Sequence, residues 1–357
     1  MFEALLETDL VSDPAKAAIG GMVVGALFGW WAQASRFCLR SACIEFWSGR
    51  TGSAMVVWLS VFGAALLATQ SLFVEGTLTA PEIRQLSATG TLSGAVVGGL
   101  LFGVGMILAR GCASRLLVLS ATGNMRALVT GLIVTVVAQA SLSGMLSPLR
   151  SWLSGLWVVG PQFRSYLIDL PGRPGLWLAA AILALALTLA LRHRPGWGRV
   201  TMSLGLGATV ALGWWFTARL GQISFEPVTA GSVTFTGPSA DTLMALITSP
   251  SLPLSFATGL VPGVFAGSLI SSLARREFAL QVFEAETGMM RYLIGASLMG
   301  FGGMLAGGCA VGAGITGGSV LSLTAWVALF CMWIGAGAAI AVLERQKPMP
   351  ATASPVR

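Results

Sequence analysis

Charge is what this 357-residue sequence has least of. Asp, Glu, Lys and Arg make up 10% of it, against 55% hydrophobic residues, whereas soluble domains carry about 25% charged residues. Such scarcity excludes a water-soluble globule of this size and leaves lipid as the solvent for much of the chain. Histidine is nearly absent, His193 being the only one, which argues against a metal or haem centre built on imidazole. The five cysteines, Cys38, Cys43, Cys112, Cys309 and Cys331, show no C-x-x-C spacing and are odd in number. Neither a disulfide framework nor a zinc site is indicated, and no cofactor is expected. The opening MFEALLETDLVSDPAK lacks the basic start of a secretory signal and reads as an amphipathic lead-in to the first span. A net charge of +7 reflects, in a membrane protein, basic cytoplasmic loops and not nucleic-acid binding.

What the chain has in abundance is apolar runs and glycine. Runs near residues 17–35, 53–74, 92–109, 126–146, 175–191, 200–218, 254–273, 291–306 and 319–343 meet or approach the ~20 residues a helix needs to cross a bilayer. The expected fold is therefore an all-α polytopic membrane protein with about nine transmembrane helices plus short broken or re-entrant ones. The 46 glycines suit close packing of such helices. Residues 147–174, with Trp152, Trp157 and Tyr166, read as amphipathic and interfacial. Residues 221–251 read as a loop joining two halves, and 344–357 as a disordered polar tail.

A duplication organises the chain. Residues 98–113 read GGLLFGVGMILARGCA and residues 295–310 read GASLMGFGGMLAGGCA, at a constant offset of 197. Gly98, Leu101, Gly103, Gly105, Leu108, Ala109, Gly111, Cys112 and Ala113 all recur. One transport domain over 1–357 is expected, with a first repeat over 17–146, connecting segments over 147–253 and a second repeat over 254–343, related by an inverted pseudo-two-fold. The N-terminal acids suggest an external start, and Arg36, Arg40, Arg50, Arg192, Arg194, Arg199, Arg345 and Lys347 suggest cytoplasmic loops. Arg275 and Arg276 take, in the second half, the place of Arg36–Arg40 in the first. Inversion would then put one of these clusters outside, against the positive-inside rule, and both would read as charge that draws in an anion.

The cysteine motifs are the candidate site. In LAGGCAVGAGITGGS (305–319) each glycine would cost ~1 kcal/mol inside a helix relative to alanine. A half-helix, a turn and a second half-helix are expected, and such breaks are tolerated at membrane depth where they line a protein-enclosed path. Freed backbone N–H groups, with Gly111, Gly308, Gly312 and Gly314 letting the backbone approach, make anion seats. The embedded G-x-G-x-x-G (Gly312, Gly314, Gly317) lacks the strand a dinucleotide site requires. A buried free cysteine is ordinarily a small hydrophobe. That reading fits Cys43 and Cys331 and stays open for Cys38, but duplicated hairpins argue against it for Cys112 and Cys309. Arg110 and Arg115 are charges in an apolar region, functional by default unless they reach the interface.

SRFCLRSA around Cys38, GVGMILARGCASR around Cys112 and GGCAVGAGITGGS around Cys309 resemble the YeeE/YedE family of inner-membrane sulfur-compound transporters. The resemblance runs over nearly the whole chain, including SVTFTGPSADTL (232–243). It implies thiosulfate uptake through an hourglass-shaped helical protein of the bacterial inner membrane, with Cys38, Cys112 and Cys309 as the essential cysteines and no enzymatic reaction. A soluble sulfur carrier or rhodanese on the cytoplasmic side is the partner to expect. The chemistry fits: thiosulfate is a dianion, a neutral thiol is a weak donor, and serial weak sites suit conduction. Two further readings stay open. One is persulfide or disulfide cycling at the cysteines; the other is a permease for a related sulfur or selenium anion. No acidic residue stands out as an ion carrier, Glu75 being a weak candidate.

Overall fold

The computed structural model describes residues 11–166, 173–224, 229–248, 253–281 and 288–345. The tail beyond 345 and the first ten residues lie outside them. The described chain is almost wholly helical: α1 Asp13–Ser35, α2 Leu39–Trp47, α3 Ser53–Val74, α4 Leu92–Leu108, α5 Ala113–Ala121, α6 Met125–Ser143, α7 Ser147–Gly155, α8 Pro161–Ser165, α9 Pro174–His193, α10 Trp197–Ile223, α11 Thr236–Thr248, α12 Phe256–Ala274 and α13 Met289–Leu305. Then come α14, a π-helical turn over Ala310–Thr316 continued by Gly317–Ser319, and α15 Leu323–Arg345. Among the described residues, nine helical segments are long and apolar enough to span a membrane. Among the described residues sheet is confined to Gly90–Thr91 against Val158–Val159. This is an all-α polytopic membrane protein.

Glycine sets the helix contacts. Along α1 and α12, β-carbons on Gly21, Gly25 and Gly29 would fall on the carbonyls of Phe256, Leu260 and Val264, and those on Gly259, Gly263 and Gly267 on the carbonyls of Ala18, Met22 and Ala26. A small residue every fourth position on both helices lets two backbones touch along their length. The pairing order shows that α1 and α12 run parallel.

Arg36 at the end of α1 and Arg275–Arg276 at the end of α12 therefore lie at the same end of the molecule. That corrects the expectation that inversion would separate them: α12 is a parallel neighbour of α1. The duplicated segments cross the other way. Gly98 on α4 meets Gly302 on α13, and Gly105 meets Gly295. Since 98 and 105 correspond to 295 and 302, the contact is self-complementary and antiparallel.

One local expectation changes and another holds. Residues 221–251 are not a loop throughout: 221–223 complete α10 and Thr236–Thr248 forms α11. Pro238 sits in the first turn of α11, where its missing N–H costs nothing, and the DTLMALIT run carries the helix on. The Gly-rich 305–319 stretch breaks only once, at Gly307 (φ 81°) and Gly308 (φ 157°). Its later glycines stay helical because neighbours fill the space a side chain would take: Thr234 beside Gly312, Leu329 beside Gly314, Ala325 beside Gly317. In the 147–174 stretch the described residues form α7 and α8, with Trp152, Trp157 and Tyr166 exposed, and 167–172 lie outside the described residues.

Candidate functional site

Three of the cysteines each follow a helix stop of one kind. Arg36 (φ 57°), Arg110 (φ 56°) and Gly307 (φ 81°) adopt the left-handed conformation. The next residue donates its N–H back five residues: Phe37 to Ala32 O at 3.2 Å, Gly111 to Met106 O at 3.2 Å, Gly308 to Gly303 O at 2.8 Å. These are helix stops that reverse the chain. The following residue, Cys38, Cys112 or Cys309, then occupies the N-cap of a new short helix, α2, α5 or α14.

At the fourth corresponding place, 197 residues after Cys38, Phe235 precedes Thr236 at the start of α11. It is buried, with its ring 5.1 Å from that of Phe28. Four short helices thus begin at corresponding positions, three behind a thiol and one behind a phenyl ring. Register shows two of them running outward from the interior. Leu116 of α5 lies against Gly131 of α6, and Gly314 of α14 against Leu329 of α15. Their positive dipole ends therefore face inward.

Cys38, Cys112 and Cys309 are all buried, and Cys112 and Cys309 belong to one continuous core cluster. The Cys38 and Cys112 thiols are directed at each other, and Cys112 Sγ lies 3.4 Å from Ser114 Oγ. Cys309 Sγ accepts the Gly312 N–H at 3.5 Å. Cys43 and Cys331 are also buried free thiols, Cys331 packing against Gly99.

The two singled-out arginines separate. Arg115 faces both Cys38 and Cys112 and donates from Nη1 to Gln33 Oε1 at 3.4 Å. Arg110 is exposed and its guanidinium carbon stands 6.0 Å from the Tyr292 ring centre. Arg40, read from sequence only as part of the Arg36–Arg40 basic cluster, lies within electrostatic reach of Cys38 and keeps a buried Nε with no hydrogen-bond partner. Gly308 and Gly312 are sterically required, since β-carbons would strike Ala313 N and Thr234 Oγ1. Gly314 is tight against Leu329, and a β-carbon at Gly111 would meet only the Leu116 side chain, at 3.1 Å.

At the opposite end a cavity of about 600 Å3 reaches Gly307 and Gly308, beside Cys309. Arg84, Arg150, Asp241, Thr234, Thr316 and Trp214 are among its lining residues. Trp214 Nε1 is buried and unpartnered, a free donor toward that space. Burial pushes the Asp241 carboxyl above its ordinary value, with Arg84 pulling the other way. No sequence signal separated Arg84, Arg150 or Asp241 from ordinary loop charges, because they are gathered from three distant segments. Among the described residues no group of His, Cys, Asp and Glu is placed to hold a metal ion.

The sequence model of the sulphur transport family matches residues 34–338, which takes in all three cysteine motifs. The thiosulfate transporter TsuA of Escherichia coli is 25% identical, the alignment covering 94% of this chain and 98% of that protein. The thiosulfate transporter TsuA of Spirochaeta thermophila is 28% identical, covering 88% of this chain and 96% of that protein.

Proposed function

The chain belongs to the sulphur transport family, and from that premise we propose that it carries thiosulfate inward across the bacterial inner membrane. The observation that carries the mechanism is the helix stop shared by three cysteines, which leaves Cys38, Cys112 and Cys309 at the N-caps of short helices. Each seat offers an S–H donor beside the positive end of a short helix, enough to hold a dianion briefly and weak enough to release it. Arg84, Arg150 and Trp214 gather the anion in the cavity beside Cys309. Cys112 and Cys38, with Arg115 and Arg40 alongside, pass it to the other end. Gly111, Gly308, Gly312 and Gly314 serve by keeping the backbone close at the stops.

We read the Cys309 end as external. Arg36, Arg40, Arg50, Arg192, Arg194, Arg199, Arg275 and Arg276 cluster at the far end, as the positive-inside rule requires of a cytoplasmic face. A soluble sulfur acceptor would dock on that face. We also read the inverted repeat as relating α1–α6 to α10–α15, with α9 as the linker. Under that reading the second unit opens at α10, and Phe235 stands where a fourth cysteine would.

The test is uptake of labelled thiosulfate by proteoliposomes, competed by sulfate, sulfite and selenite. Saturable uptake that excess sulfate leaves intact supports the proposal. Uptake abolished equally by sulfate and selenite would make the protein a general oxyanion permease. Within the same assay Arg115→Ala should lower uptake about tenfold or more, ~1.4 kcal/mol of lost stabilisation, with Arg115→Lys retaining part of it. Arg110→Ala should stay within about twofold, as expected of an exposed cation.

A further inference from the structure

A carboxylate sits among the cations at the Arg36 end. After α12 the chain turns through Arg275 and Arg276 (φ 57°), and the Glu277 N–H bonds Ser272 O at 2.8 Å. Glu277 thus follows a helix stop of the same kind as those before the cysteines. Its Oε2 accepts from Gln33 Nε2 at 2.8 Å, and its Oε1 lies 3.4 Å from Arg36 Nη2. Gln33 is 5% exposed, and its other amide atom, Oε1, accepts from Arg115, the guanidinium that faces Cys38 and Cys112. One buried amide therefore links Glu277 to the charge beside the thiols.

A carboxylate takes the same donors as an oxyanion, a guanidinium and an amide N–H. Left empty, a seat made by Arg36 and Gln33, with Arg115 nearby, would hold a dianion against release. Conduction requires that the last site let go. We propose that Glu277 is a resident anion that fills this exit seat, is displaced by departing thiosulfate, and by competing for the seat speeds release. The Arg36–Glu277 pair is half-exposed, so the contact is weak and readily exchanged. The inference rests on the proposed transport and its direction.

Proteoliposomes holding the protein in one orientation, loaded with increasing luminal thiosulfate on the Arg36 side, give the test. Glu277→Gln should lower the maximal uptake rate and bring half-inhibition at about threefold to fivefold less luminal thiosulfate, the equivalent of one exposed ion pair. Glu277→Asp, which keeps the charge, should resemble the wild type. Arg36→Gln should move inhibition the opposite way, toward more luminal thiosulfate. Unchanged luminal inhibition in Glu277→Gln, or the same shift in Glu277→Asp, overturns the proposal. Failure of the wild type to take up thiosulfate at all would instead remove the transport reading on which it stands.

Discussion

Cells that depend on this protein for thiosulfate as sole sulfur source should cease to grow when Cys112 is replaced by alanine. The thiol stands at the N-cap of α5, turned toward Cys38 and within reach of Ser114 and Arg115. Alanine keeps the small apolar volume, so the helix stop, which is built from backbone bonds of Arg110 and Gly111, is left standing. What disappears is the S–H donor facing Cys38 on the proposed path. A loss of about tenfold or more in uptake is expected, ~1.4 kcal/mol, with Cys38→Ala and Cys309→Ala close behind. Cys43→Ala and Cys331→Ala remove only packing atoms, and growth should remain near normal. If all five variants grew alike, the thiols would be structural.

The second large effect is on assembly. Gly267→Val should sharply reduce the amount of folded protein recovered from membranes and lower its melting temperature. A β-carbon there would occupy the Ala26 carbonyl, and the obstacle is backbone, which cannot swing aside. Overpacking costs ~1–3 kcal/mol where neighbours can yield, and a contact between two main chains lies at or above the top of that range. Gly259→Val should behave the same way, its β-carbon meeting Ala18 O. Gly237→Val, where nothing lies within contact distance, is the control and should be recovered normally. Detergent-solubilised yield and thermal unfolding read the outcome.

The sequence carried the spans, the duplicated hairpins and the three thiols because each leaves a local trace: a long apolar run, a repeated string, a cysteine behind a glycine or arginine. It could not carry the parallel pairing of α1 with α12. That pairing depends on which of many glycines face each other, and glycine at every fourth position recurs on α1, α4 and α12 alike. The mistaken correspondence of Arg275–Arg276 with Arg36–Arg40 followed from it. The antiparallel crossing of α4 with α13 was foreshadowed by the repeat, since a duplicated unit separated by an odd number of crossings must invert. α11 was hidden because Gly237 and Pro238 punctuate its start, and the matching position after Cys38 holds Phe235, which no cysteine pattern marks. Gln33 and Glu277 were unreadable for another reason. Their significance is three-dimensional, one amide joining a carboxylate at the end of α12 to a guanidinium on α5.

The account turns on the thiols handing on an intact anion, without a sulfur–sulfur bond forming to the protein. Thiosulfate labelled separately on its inner and outer sulfur measures this directly. Passage as an intact dianion predicts that both labels accumulate inside proteoliposomes in equal amounts, with no sulfite appearing outside. Accumulation or protein-bound retention of the outer sulfur alone, with sulfite left in the medium, would contradict it and establish persulfide transfer at the cysteines instead.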